Sequence, residues 1–243
     1  MKLKKTVFFL LLIMSQYTCG QKYSLNNFTQ VPLPAEKTNE WSQLNWADIG
    51  FQVQNREGKL QIKKIVEDYK CKLDVKEGTL IGTDRGEWGG ELKFKPHKGK
   101  EIVIMGGNIK SIFMYKGRIF LIEGLAHLSL SKGALYEIIP NGKSYEYKMV
   151  VDLKDAPYAV CVYNEKLLIV ASNAFFIYEN SKLQTLYKDM FWWGMYPNSI
   201  AAIDDQNVYI GMRGGIVKLD MTNTENKFLY RYNDLRPYPQ DSK

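Results

Sequence analysis

Residues 199–220 read SIAAIDDQNVYIGMRGGIVKLD, and this stretch decides the fold. It contains three short runs with a period of two, which are separated by Asp204-Asp205-Gln206 and by Gly214-Gly215. Such runs, bounded by Asp, Asn and Gly, are typical of β-strands that are joined by tight turns. A fourth run, Lys227-Phe228-Leu229-Tyr230-Arg231, follows. The sequence therefore predicts four consecutive strands between residues 199 and 231.

The same order of elements occurs three more times, at residues 71–104, 111–149 and 159–187. The first turns of the four copies contain Gly78, Gly117, Glu165 and Gln206, which are spaced 39, 48 and 41 positions apart. A period near 40 residues with four strands in each unit is the signature of β-propeller blades.

The repeat resembles the blades of bacterial β-propellers of the sensor-domain and NHL type. The residues that carry the resemblance are Leu80-Ile81-Gly82-Thr83 with Gly89-Gly90, and Val208-Tyr209-Ile210-Gly211 with Gly214-Gly215. The resemblance covers residues 69–232. It is weaker in the middle copies, where Ser131-Lys132-Gly133 and Ser172-Asn173 replace the double glycine. It implies a fold and no particular chemistry.

We therefore predict an all-β fold in which residues 21–243 form one propeller domain of four-stranded blades. Four blades lie within 69–232, and the N-terminal segment makes five by completing the ring. We expect the hairpin at 49–65 to be the outer half of a blade, while other blade numbers stay open. A β-sandwich is the alternative, because it also contains many short strands. It does not explain the fixed order of strands and glycines.

The first 20 residues have the composition of a secretory signal. Three lysines precede an apolar run of eight residues, from Val7 to Met14, and a polar segment with small residues follows. The run is too short to span a bilayer, and no later stretch is long enough. Cleavage before Gln21 is one expectation, and lipidation of Cys19 is the other. Both predict an exported protein, which is tethered to a membrane only if Cys19 carries a lipid.

Charge and cysteine content exclude several classes of partner. Removal of the signal reduces the formal charge from +7 to +4, with 30 basic residues against 26 acidic ones. The basic residues are spread along the chain, so a nucleic-acid partner is not expected. Cys71 and Cys161 lie in separate predicted strands, and we expect free thiols. The only histidines are His97 and His127, which gives no zinc spacing; no metal or other cofactor is predicted.

In a propeller, the loops after the second and fourth strands of each blade surround one end of the central channel. Large aromatic side chains beside charged and polar groups are typical of ligand sites. We expect that end of the molecule to bind a ligand. The candidate residues are Asp84, Arg85, Glu87, Trp88, His127, Tyr158, Asn173, Trp192, Trp193, Tyr196 and Arg213.

Each candidate also has a structural interpretation. One residue of the Trp192-Trp193 pair is expected to pack between blades, because neighbours in an extended chain point in opposite directions. Asp84 can form an Asx turn within its loop. Arg85 and Arg213 can form surface ion pairs, and His127 can pack among its apolar neighbours.

No catalytic motif is present, whether a nucleophile elbow, a phosphate loop or a zinc-protease helix. We therefore assign no catalytic residue and favour a monomeric binding module whose partner is a ligand, such as a carbohydrate, or a protein. The first alternative is a hydrolase or lyase that uses Asp84, Glu87 or His127. The second is a structural or interaction lipoprotein without a small-molecule site.

Overall fold

The structure is a computed structural model, and it describes residues 23–65 and 70–236. Within these residues the strands form five antiparallel sheets. The first sheet contains β2 (Phe51–Arg56) and β3 (Lys59–Lys64). The second contains β4 (Lys70–Val75), β5 (Gly78–Thr83), β6 (Glu91–Pro96) and β7 (Ile102–Gly106). The third contains β8 (Ile109–Tyr115), β9 (Arg118–His127), β10 (Leu130–Asn141) and β11 (Ser144–Asp152).

The fourth sheet contains β12 (Pro157–Tyr163), β13 (Lys166–Ala171), β14 (Phe175–Glu179) and β15 (Lys182–Tyr187). The fifth contains β16 (Ser199–Asp204), β17 (Asn207–Met212), β18 (Gly215–Leu219) and β19 (Lys227–Tyr232), with β1 (Phe28–Val31) at its edge. The helix α1 (Asn39–Asn45) lies between β1 and β2, and short 3₁₀ turns occur at Leu25–Asn27 and Gly86–Trp88.

Tight turns join the first two strands of several sheets. Lys116 and Gly117 have φ angles of 47° and 72°, and Asn164 and Glu165 have φ angles of 45° and 61°. Positive φ at both central positions defines the type I′ turn, whose twist matches that of paired strands. The turns predicted at these two places are confirmed.

Successive sheets pack face to face through their first strands. β4 packs on β8, β8 on β12, β12 on β16, and β16 on β2. Within the described ranges, a separate apolar core fills each of these four interfaces. A β-sandwich has one core between two sheets, whereas here the sheets follow one another around an axis. The protein is therefore an all-β propeller built mainly from four-stranded blades.

The N-terminal segment joins the fifth sheet to the first. β1 pairs antiparallel with β19, and Tyr23 forms a bridge with Ile62 of β3. The Phe51 ring lies 4.8 Å from that of Phe28 and 5.0 Å from that of Tyr232, between centroids. These aromatic contacts are part of the apolar core between the two sheets.

The prediction that the hairpin at 49–65 is the outer half of a blade is wrong. β2 packs on β16, which is the first strand of the fifth sheet, so β2 occupies an inner position. Alternation alone places β2 and β3 in a sheet, but it does not distinguish an inner from an outer pair, since both bury one face.

Cys71 and Cys161 are not joined in a disulfide within the described residues. Burial raises the pKa of the Cys161 thiol to about 12, which keeps it protonated. The predicted signal at 1–20, with Cys19, lies outside the described residues. In the part of the chain that is described, no helix is long and apolar enough to cross a membrane.

Candidate functional site

A cleft of about 560 Å³ opens beside the tip of the hairpin formed by β9 and β10. We call it the aromatic cleft, because the rings of Tyr158, Trp193 and Tyr196 form part of its wall. Six residues with polar side chains also line it: Glu36, His127, Ser129, Ser131, Ser172 and Asn173. Small-molecule sites usually combine apolar and aromatic walls with polar groups that orient the ligand.

The hairpin that forms one side of the cleft is the longest in the part of the chain that the structure describes. β9 has 10 residues and β10 has 12, and His127 pairs with Leu130 across the turn. Leu128 at the turn has a φ angle of 54° and is 93% exposed. The hairpin therefore presents an apolar tip to solvent at the edge of the cleft.

Asp155 holds two residues of the cleft lining, Ser131 and Asn173, in place. Its carboxylate is buried and accepts hydrogen bonds from the Ser131 hydroxyl at 2.5 Å and from the Asn173 backbone N–H at 2.8 Å. The Ala156 N–H also donates to it, at 3.0 Å. One carboxylate thus joins the hairpin, two residues from its turn, to the β11–β12 and β13–β14 connections.

The two adjacent tryptophans have different roles. Trp192 is fully buried, and its indole N–H donates to the Ala171 carbonyl at 2.9 Å. Trp193 is 39% exposed and lines the aromatic cleft. The prediction that one of the pair packs inside is confirmed, whereas Trp192 as a ligand-binding residue is wrong, because its indole belongs to the core.

The helix α1 supports Trp193 from behind. Thr38 caps the helix by accepting the Trp41 N–H at 3.3 Å, and the Trp41 indole N–H donates to the Phe191 carbonyl at 2.7 Å. The centroids of the Trp41 and Trp193 rings are 5.1 Å apart. A segment from the start of the chain therefore holds the loop that carries Trp193.

Tyr158 and Tyr196 form a second aromatic contact in the cleft. Their rings meet edge to face, with centroids 6.2 Å apart. The Arg213 guanidinium lies 4.7 Å from the Tyr196 centroid, and its Nη1 donates to the Asn45 carbonyl at 2.7 Å. Burial raises the pKa of Tyr158 from 10.0 to about 12, so its hydroxyl keeps its proton beyond the pH at which an ordinary tyrosine ionises.

The loop between β5 and β6 lies beside the cleft rather than in it. Asp84 accepts the Gly86 N–H at 3.0 Å, as predicted for an Asx turn, and its other oxygen is 2.5 Å from Lys110 Nζ. Lys110 Nζ is also 5.4 Å from the Tyr158 centroid. Glu87 is 3.3 Å from His127 Nε2, which ties this loop to the hairpin.

The structure thus divides the predicted residues into groups. His127, Tyr158, Asn173, Trp193 and Tyr196 line the aromatic cleft, and Arg213 lies behind Tyr196. Asp84, Arg85, Glu87 and Trp88 do not line it, although Trp88 is 79% exposed.

Among the polar residues that line the cleft, Glu36, Ser129, Ser131 and Ser172 were not predicted from the sequence. Ser131 and Ser172 occupy the positions where the middle repeats lack the double glycine, and that irregularity is the signal that could have marked them. Glu36 lies in a segment with no repeat to place it.

No family model matches the chain, and no curated protein matches it. Two similar solved structures are an S. cerevisiae Dbp5 variant bound to Nup159, a Gle1 variant, IP6 and ADP, and the N-terminal domain of Nup159. They have 9% and 10% sequence identity, and each has a TM-score of 0.28. Both alignments cover 74% of this chain and 64% of the other, so the chain spans less than two thirds of these structures.

Proposed function

We propose that this protein is an exported binding module that holds a carbohydrate in the aromatic cleft. The observation that carries the proposal is the convergence of Tyr158, Trp193 and Tyr196 on one cavity that also contains an amide and hydroxyl groups. The apolar face of a sugar ring packs on aromatic rings, while its hydroxyls exchange hydrogen bonds with amides and serines. The cavity volume of about 560 Å³ is within the usual range for such sites, roughly 300–1,000 Å³.

The cleft is preorganised, which supports binding over a structural role. Trp193 rests on Trp41, and the Asn173 loop is held by Asp155. A site whose side chains are already ordered loses less conformational entropy when a ligand arrives.

The contacts of the acidic residues favour binding over hydrolysis. Asp84 is paired with Lys110 and Glu87 with His127, and neither carboxylate lines the cleft. Among the described residues, Glu36 supplies the one carboxylate that does, whereas glycoside hydrolysis usually requires a pair. Glu123, whose pKa is raised by burial, is also absent from the cleft lining. An enzyme that uses Asp84 would lose turnover in Asp84→Asn while retaining its fold, which an assay on the same oligosaccharides would detect.

The indole N–H signals of the five tryptophans test where a ligand binds. A library of oligosaccharides and peptides is first screened by thermal shift. Each hit is then titrated into ¹⁵N-labelled protein, and the ligand is expected to shift the Trp193 signal while those of Trp88 and buried Trp192 stay in place. Hits that shift Trp88 alone, or no stabilising oligosaccharide at all, would contradict the proposal.

A further inference from the structure

A second cavity adjoins the aromatic cleft and shares Tyr196 with it. This cavity, of about 380 Å³, lies between the chain before β2, the end of β3 and the start of the β17–β18 turn. Lys64 and Arg213 are among its lining residues, and we call it the basic pocket. Because Tyr196 is 51% exposed and lines both cavities, one extended ligand can reach from one cavity to the other past its ring.

The basic pocket has cationic groups available for a ligand. Lys64 is exposed and forms no ion pair with any residue that the structure describes. Arg213 uses Nη1 to bind the Asn45 carbonyl, and a guanidinium has five N–H donors in all. Planar N–H groups of this kind bind carboxylates and sulfates in a bidentate manner.

The positions of two acidic side chains indicate which of the two cavities suits the negative charge of a ligand. Asp48 lines the pocket, but Arg236 Nη1 is 3.4 Å from its carboxylate. Glu36 lines the aromatic cleft, where it would repel an anion. A ligand with a neutral ring in the aromatic cleft avoids repulsion by Glu36. An acidic group on the same ligand, beyond Tyr196, meets the cationic groups of the basic pocket.

We infer that the ligand is an acidic oligosaccharide. One sugar ring packs in the aromatic cleft, and the carboxylate or sulfate of a neighbouring sugar binds Lys64 and Arg213 in the basic pocket. This inference rests on the proposed function, since it assigns a chemical class to the carbohydrate.

Adjacent residues of β3 supply the test and its control. Lys64 lines the basic pocket, whereas Lys63 lines a cavity with Gln52, Gln54 and Gln61 on the other face of the sheet. Both lysines are exposed, so Lys64→Glu and Lys63→Glu make the same change of charge without disturbing a core. We choose Lys64 rather than Arg213 for the substitution. Removal of the Arg213 side chain would also break its hydrogen bond to the Asn45 carbonyl and its contact with the Tyr196 ring.

Isothermal titration would compare four probes: an oligogalacturonate, its carboxyl-reduced neutral form, a sulfated oligosaccharide of similar length, and polyglutamate. We expect an acidic sugar to bind about tenfold more tightly than the neutral one, the effect of about one charge-assisted hydrogen bond. Lys64→Glu should abolish that advantage, and Lys63→Glu should keep it. The preference between uronate and sulfate identifies the acidic group.

Equal binding of acidic and neutral sugars, unaffected by Lys64→Glu, would overturn the inference and leave the aromatic cleft as a carbohydrate site. Polyglutamate that binds as tightly as the acidic sugar would overturn it in favour of an acidic peptide. If no sugar binds, both the inference and the proposed function fail.

Discussion

The Ser131 hydroxyl donates a hydrogen bond of 2.5 Å to the buried carboxylate of Asp155. This contact joins the tip of the β9–β10 hairpin to the connection that precedes β12. The same carboxylate accepts two backbone N–H groups, so the shape of the aromatic cleft depends on one acidic side chain.

Asp155→Ala should destabilise the fold by about 2–3 kcal/mol, because the Asn173 N–H and the Ser131 hydroxyl lose their acceptor, while the Ala156 N–H keeps only the Ser131 hydroxyl oxygen, at 2.9 Å. Ser131→Ala should cost about 1 kcal/mol, since the Asn173 and Ala156 N–H groups keep their partner. Urea denaturation measures both values. Equal losses in the two variants would show that Asp155 does not act as the common acceptor.

The raised pKa of the Tyr158 hydroxyl predicts that the folded protein loses stability at alkaline pH. Burial raises its pKa from 10.0 to about 12 in the folded state. The folded protein therefore holds a proton that the unfolded chain releases, so this contribution is constant below pH 10 and is lost as pH rises towards 12. The free energy of unfolding should fall less steeply across this range in Tyr158→Phe than in the wild type. Identical slopes would contradict the assignment.

The close packing of Gly214 against α1 predicts that a larger residue in the β17–β18 turn destabilises the fold. Its φ angle is +73°, and an added Cβ would lie 2.8 Å from Leu44 Cδ2 of α1. Gly58 provides the control, because its φ angle is +77° and an added Cβ would meet nothing within 4 Å. Gly58→Ala should cost roughly 1–2 kcal/mol from backbone strain alone. Gly214→Ala should cost about 1–3 kcal/mol more, because it also crowds Leu44.

The prediction is contradicted if Gly214→Ala and Gly58→Ala lower the free energy of unfolding by the same amount. In that case the contact between α1 and the turn would contribute little. Tryptophan fluorescence provides a second readout, since displacement of α1 would separate Trp41 from Trp193.

Local patterns in the sequence predict much of this fold but only part of its site. Period-two runs and Asx or Gly turns identify strands, because these features depend on neighbouring residues. The inner position of β2 depends on its packing against β16, which is far away in the sequence. The burial of Trp192 likewise depends on the core around it and on α1, whose Trp41 contacts Phe191 across 150 positions. No repeat or motif signals such a long-range contact.

The N-terminus of the mature protein tests the prediction of export. We expect the signal to be removed, leaving Gln21 first, and its cyclisation to pyroglutamate would exclude an acyl anchor. Mass spectrometry of the protein produced with residues 1–20 intact distinguishes the outcomes. A diacyl or triacyl group on Cys19 would establish the lipid-anchored alternative, and a retained leader would contradict both.

The central claim is that Trp193 contacts the ligand in the aromatic cleft. Trp193→Ala and Trp88→Ala each remove one solvent-exposed indole, and only the first indole lines the cleft. Isothermal titration with the best oligosaccharide from the screen should show an affinity loss of about tenfold in Trp193→Ala, the value of a favourable aromatic contact. The affinity of Trp88→Ala should match that of the wild type. An unchanged affinity in Trp193→Ala, or an equal loss in Trp88→Ala, would contradict the claim.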